Sequence, residues 1–358
     1  MNALLASLSE APLNDMGAGI MRSSIVHSLV NRLRLNYWLH HHPEILNESI
    51  QAPLVVVGMM RSGTTLVQRL LAADPGHTST LGWEAMAPAP PPGSDPRAVE
   101  PRLAQALARE EQTRTFAPDL FAIHPTYADQ AEEEIMFLAD AFLSHVPEAS
   151  CDLPAYRTWL NEQDFAPAYA NLYRTLQLLQ WQKRLRGEPC GRWVLKTPAH
   201  LGYLRELLDT FPGAHVVHLH RDPMETIPSG ASLNTTLWRM HADDVDPTHV
   251  GAQWLDRMGW TNDRAIAFRR GLPREDQRFT DIRFSYLTRD PVQQVAVIYA
   301  RAGIELTANA RGAMQDWLRS DSERKLAQHS YAPEDFGLTT VKIRDRFSDY
   351  YQHFLESD

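Results

Sequence analysis

The residues best equipped for chemistry stand in one run, Arg61-Ser62-Gly63-Thr64-Thr65: a guanidinium, a residue without a side chain and three hydroxyls. Ahead of it, Leu54 to Val57 is apolar and mostly β-branched and meets Gly58. Behind it, Leu66, Val67, Leu70 and Leu71 share one helical face. The pattern predicts a strand, a tight loop and a helix, with the polar run where the helix exposes backbone N–H groups that lack intrahelical partners. A cation and a small backbone at such a place hold phosphate or sulfate. The plainer alternative is a turn capped by Ser62 or Thr64, but the concentration of Arg, Gly and hydroxyls favours the anion. An ATP loop would read Gly-x-x-x-x-Gly-Lys-Ser/Thr. Gly58 and Gly63 keep that spacing, whereas Thr64 stands in the lysine's place and the cation has moved forward to Arg61.

A second group of candidates must be positioned by elements further on. Trp193 to Lys196 is a short apolar run ending in a lysine, Leu201 to Phe211 has helical spacing, and Ala214 to His220 reads as a strand. A strand, helix, strand unit implies parallel pairing through a right-handed crossover, and ligands gather at the carboxyl ends of such strands. That puts the Arg61 loop, Lys196 and the residues after His220 at one edge. Arg221-Asp222-Pro223-Met224-Glu225 then has the cap, first-position proline and acidic residue of a helix start. Ser229 lies eight residues after Arg221, so the two converge only if the chain turns between them, and Pro228 is expected to bend this helix.

The carboxylates and histidines are less distinctive. Glu84 lies just ahead of the prolines of Gly82 to Pro96, a stretch expected to lack regular structure; it is either a solvated loop carboxylate or a general base beside the anion loop. The acidic run Glu132 to Glu134 reads as a solvated helix face without chemistry. Three consecutive histidines, His40 to His42, point in different directions and cannot converge on one ion. His218 and His220 share a strand face and are expected to pack beside the site, with no third metal ligand in view. Tyr156, Trp159, Phe165 and Tyr169 read as packing residues.

With 358 residues the chain can bury a large core, and a formal charge of -9 argues against a nucleic-acid surface. Two cysteines, Cys151 and Cys190, make no disulfide framework or metal site, which suits a reducing cytoplasm. Neither a signal peptide nor a membrane span is apparent. Residues 1–50 read as an N-terminal helical segment, residues 51–358 as the main domain, and about 97–190 within it as a helical insertion.

The string GMMRSGTT resembles the 5′-phosphosulfate loop of sulfotransferases that use 3′-phosphoadenosine 5′-phosphosulfate (PAPS), and RDPMETIPS, Arg221 to Ser229, resembles their 3′-phosphate motif, in the family's order. A third echo runs from Asp281 to Leu306, a strand, an Asp-Pro and a helix before a glycine, departing from the usual Tyr-Glu-Asp-Leu at Ser285 and Tyr286. His329 to Leu338 is similar to the C-terminal segment of bacterial members. The resemblance implies an α/β fold of the P-loop, nucleoside-kinase-like kind: three layers around a central parallel sheet. It implies sulfuryl transfer from PAPS to a hydroxyl or amine without a metal, Arg61, Ser62, Gly63, Thr64 and Thr65 binding the 5′ end and Arg221 and Ser229 the 3′-phosphate. Arg61 and Lys196 would stabilise charge. Lys196 matches the catalytic lysine of the tyrosylprotein sulfotransferase branch in its spacing to Arg221, and the loop is closer to branches that use a carboxylate base. Glu84 is therefore the expected base, with His200, near the histidine of the cytosolic branch, as the other candidate. The acceptor is expected to be a small molecule, apolar, aromatic or lipid-like. An ATP-dependent small-molecule kinase and a non-catalytic nucleotide-binding protein are the alternative readings.

Overall fold

Five short strands build the sheet: β1 Leu54–Gly58, β2 His77–Ser79, β3 Arg192–Lys196, β4 His215–His220 and β5 Phe279–Arg283. The structure is a computed structural model that describes residues 1–273, 275–322 and 331–356. All strand pairs are parallel, in the order β2-β3-β1-β4-β5. The expected unit of β3, helix and β4 is parallel, but its strands do not pair with each other. β1 lies between them, with Val55 opposite Leu195 on one side and Val216 on the other. The connection after β1 runs to β2 on one side of the sheet and the connection after β4 to β5 on the other, which opens a crevice between them at the carboxyl ends.

Alternation along β1 explains the three layers. Leu54 and Val56 join a core cluster with Val67 and Leu70 of the helix Thr64–Ala72 and Ile298 of the helix Pro291–Ala302. Val55 and Val57 join the opposite cluster with Leu201, Leu207 and Ile227. Both faces are covered, so β1 and β4 are buried along their whole length, and β1 reads as a continuous apolar run.

The N-terminal residues form the helices Asn2–Glu10 and Asp15–His41, the second capped by the Asn14 side chain accepting from the Gly17 amide. Gly17 abuts the end of the helix Pro223–His241; a Cβ there would lie 2.3 Å from the His241 carbonyl oxygen. His41 stacks on Tyr37 and His42 on Trp38. Within 97–190 the longest helices are Glu100–Phe116 and Ala166–Leu185.

One local expectation is corrected, and one helix is longer than its proline suggests. Pro223–His241 runs on through Pro228 without a break, because proline deletes a single i to i−4 bond while the rest of the ladder and the packing against the helix Pro247–Arg270 hold it. Gly82 to Pro96 is not wholly irregular: Gly82–Met86 is a short helix ahead of the prolines. Of the segment His329 to Leu338, His329 and Ser330 lie outside the described residues; Pro333–Phe336 is a 3-10 turn on the helix Pro247–Arg270, where Gly251 approaches the Phe336 carbonyl. Among the described residues no helix is long and apolar enough to cross a membrane.

Candidate active site

The loop after β1 is built from backbone conformations that few residues adopt. Gly58 has φ 152° and Gly63 φ 93°, and Arg61 itself sits in the left-handed region at φ 70°. Ser62 is buried and donates to the Met59 carbonyl at 2.6 Å, so its hydroxyl shapes the turn. The helix Thr64–Ala72 then starts with no side-chain cap among the described residues, leaving its first amides available. An uncapped helix N-terminus beside a cation suits an anion by dipole and by donors.

Arg61 gathers the two expected 3′-phosphate residues. Its Nε donates to Ser229 Oγ at 3.1 Å and a terminal nitrogen to the Ile123 carbonyl at 3.0 Å, while Arg221 donates to the Arg61 carbonyl at 2.8 Å. Arg221 stacks 4.0 Å over the Phe284 ring and pairs with Glu225. Asp222 caps the following helix through the Met224 amide at 2.8 Å and accepts from the Tyr351 hydroxyl, and His220 bonds Tyr350 at 3.2 Å. The chain's last helical turns thus brace the Arg221 loop, a role no local signal announces.

Lys196, at the end of β3, is 2% exposed and donates to Glu133 Oε1 at 2.5 Å and to Thr65 Oγ1 at 3.3 Å. Glu133 lines the same cavity as the anion loop. Its pKa is set first by burial, which raises it, yet the Lys196 charge and hydrogen bond, with His124, bring it below the ordinary glutamate value. The neighbouring Glu134 is fully buried, accepts from the Lys196 amide at 3.1 Å and lies 2.7 Å from His200 Nε2, whose other ring nitrogen is 2.8 Å from the Tyr169 hydroxyl. The acidic run is therefore not a solvated face: tertiary folding lays it across the end of β3. His200, fully buried in this chain of bonds, supports Lys196 from behind.

Glu84 is placed elsewhere. It is fully buried in the short helix Gly82–Met86, receives the Leu81 amide at 3.0 Å, and is paired with Lys183 at 2.8 Å, with Arg186 at 3.6 Å. A carboxylate so neutralised closes its own helix and anchors the insertion, and it does not reach the anion loop; the expectation of a base at Glu84 is corrected on that ground.

His218 and His220 do acquire a third companion, Asp281. His220 Nε2 is 2.7 Å from Asp281 Oδ1, but the Arg269 guanidinium bonds the same carboxylate and lies 3.3 Å from His218 Nδ1. A fixed cation in that corner makes it an ion-pair network.

Arg61, Gly63, Thr64, Thr65, Arg221 and Phe284 line one part of a cavity of about 790 Å³, and Glu133 belongs to the same wall system. Ser62, Ser229 and Lys196 support it from behind. The rest is largely apolar, including Met86, Leu120, Met136, Leu237 and Met258. A loop suited to an anion, the Glu133 carboxylate and an apolar chamber thus share one space, with Lys196 behind the carboxylate.

A family model described as the sulfotransferase family matches residues 53–308. Omega-hydroxy-beta-dihydromenaquinone-9 sulfotransferases of Mycobacterium bovis and Mycobacterium tuberculosis are 27% identical over 280 residues, 70% of this chain and 63% of theirs, so the chain spans less than two thirds of those relatives' length. Among solved structures, sulfotransferase STF1 from Mycobacterium tuberculosis has a TM-score of 0.84 at 31% identity, covering 97% of this chain and 90% of that one. Sulfotransferase STF9 from Mycobacterium avium has a TM-score of 0.85 at 26% identity, covering 97% and 88%.

Proposed function

Because the chain belongs to the sulfotransferase family, we propose that it moves a sulfuryl group from PAPS to the hydroxyl of an apolar small molecule. The observation that carries this reading is the convergence of two phosphate-suited groups on Arg61: the uncapped helix N-terminus on one side, Arg221 and Ser229 on the other. The loop and helix amides would hold the 5′-phosphosulfate, and Arg221 with Ser229 the 3′-phosphate, guanidinium forks being suited to phosphate oxygens.

In the proposed reaction the acceptor oxygen attacks sulfur in line as its proton passes to Glu133, and the bond from sulfur to the donor's 5′-phosphate oxygen breaks. Lys196 and Arg61 stabilise the negative charge that grows on the transferring group and the departing oxygen. Glu133 suits the base role because it lines the cavity at the end of β3 beside Lys196; its lowered pKa makes it a weak base, which takes the proton only as the new sulfur–oxygen bond forms. Glu134, His200 and Tyr169 hold the β3 end in place. The apolar chamber, and relatives named for an omega-hydroxylated menaquinone, support a lipid-like alcohol as acceptor.

Titration calorimetry with adenosine 3′,5′-bisphosphate, with ADP and magnesium-ATP as controls, tests the reading. Binding that is lost without the 3′-phosphate is expected. Tighter binding of magnesium-ATP would overturn it in favour of a kinase.

A further inference from the structure

A separate wall of the cavity is a stripe of the helix Glu100–Phe116: Ala106, Arg109, Glu110 and Thr113, at positions i, i+3, i+4 and i+7. Its acid and its base have unequal partners. Glu110 is fully engaged, one carboxylate oxygen accepting from the Arg114 guanidinium at 2.7 Å and the other from the Ala128 amide at 2.9 Å. Arg109 is exposed, reaches only the Met86 sulfur, at 3.8 Å, and pairs with no carboxylate among the described residues. The other arginines of the cavity wall have their places: Arg257 is held by Glu148 at 2.8 Å, Arg221 by Glu225, and Arg61 belongs to the loop after β1.

A further cation reinforces Arg109. His27, from the helix Asp15–His41, lines the same wall and donates through Nε2 to the Met86 carbonyl at 2.6 Å. Burial first, and then the charges of Arg109 and Arg34, lower its pKa against the pull of that bond, so the ring stays neutral in a positive field. Arg34 also pairs with no carboxylate among the described residues. Two arginines around one neutral histidine, on a wall whose only nearby acid is already spent, repel a cationic group and attract an anionic one. A guanidinium fork matches the two oxygens of a carboxylate.

We propose that Arg109, backed by Arg34, is a second recognition site, which binds the carboxylate of an amphiphile whose chain lies in the apolar part of the cavity and whose hydroxyl, at the other end, meets Glu133. The acceptor class is therefore an apolar chain with a hydroxyl at one end and a carboxylate at the other. This assignment rests on the acceptor reading above and adds to it a charge that the reading does not require; it is tested by binding, without turnover.

The test is calorimetry on the full chain, with adenosine 3′,5′-bisphosphate present to fill the loop after β1. The probes are 12-hydroxydodecanoate and dodecane-1,12-diol, which differ only in the group at one end. The parent should bind the carboxylate about fivefold more tightly than the diol. That preference should shrink as salt is raised and vanish in Arg109→Gln, which should bind the diol as the parent does. Equal affinity for both probes in the parent overturns the proposal. So does a preference that Arg109→Gln leaves intact, since the carboxylate would then sit elsewhere, at the Arg61 loop. Sulfuryl transfer from PAPS to the diol, assayed separately, decides the sulfotransferase reading, and its failure would leave the Arg109 result to stand or fall on the calorimetry alone.

Discussion

At the scale of single residues, the two glutamates separate chemistry from support. Glu133→Gln keeps size and hydrogen bonding but cannot take a proton, so turnover should fall about 10²- to 10⁴-fold. Calorimetry should show adenosine 3′,5′-bisphosphate binding within a few-fold of the parent. Glu84→Gln is expected to do the reverse. It strands Lys183, 4% exposed, without its counter-charge, at a cost of about 3 kcal/mol. Thermal unfolding should register that loss while turnover per folded molecule stays near the parent value. Full activity in Glu133→Gln would remove the base role assigned to it.

In the proposed donor site, the element that positions Arg221 is the start of the helix Pro223–His241. Asp222 holds it twice, accepting from the Met224 amide at 2.8 Å and from the Tyr351 hydroxyl. Asp222→Ala should cost about 1 kcal/mol as a lost cap. It should also loosen the Arg221 backbone, whose side chain clamps the Arg61 carbonyl at 2.8 Å. The expected signature is a smaller ratio of affinities for adenosine 3′,5′-bisphosphate and adenosine 5′-monophosphate. If both ligands weaken equally, the helix start does not position the 3′-phosphate residues.

For the whole molecule, a buried carboxyl sets a pH dependence. Asp140 is 3% exposed, and one of its oxygens, Oδ1, is unpartnered among the described residues. Burial pushes its pKa up to about 7, against smaller opposing effects of Ser28, Asn31 and Arg32. The folded state therefore keeps a proton that the unfolded chain gives up above about pH 4. Stability contributed by this group falls as pH rises from about 4 to 7 and is level beyond, a loss on the order of 2–4 kcal/mol. Asp140→Asn should raise the melting temperature at pH 8 more than at pH 4. A constant difference across that range would mean that the carboxyl is ionised at no cost.

The sequence by itself determined whatever is made by neighbours along the chain. The glycines, arginine and hydroxyls of the loop after β1 are contiguous, the Asp222-Pro223 cap is contiguous, and short buried apolar runs mark β1 and β3; each follows from local backbone chemistry, so the α/β fold and the strand, loop and helix that carry Arg61 were legible. Tertiary structure decided what depends on distant pairing. Nothing in a run of three glutamates says that Glu133 will meet Lys196, 63 residues away, or that Glu84 will be consumed by Lys183, 99 residues away. The insertion of β1 between β3 and β4, the bracing of Arg221 by Tyr350 and Tyr351, and the Asp281 and Arg269 corner beside His218 are of the same kind. Their energies come from burial and charge pairing that exist only once the sheet has assembled, and a charge run on a line of text carries no sign of which face it will turn inward.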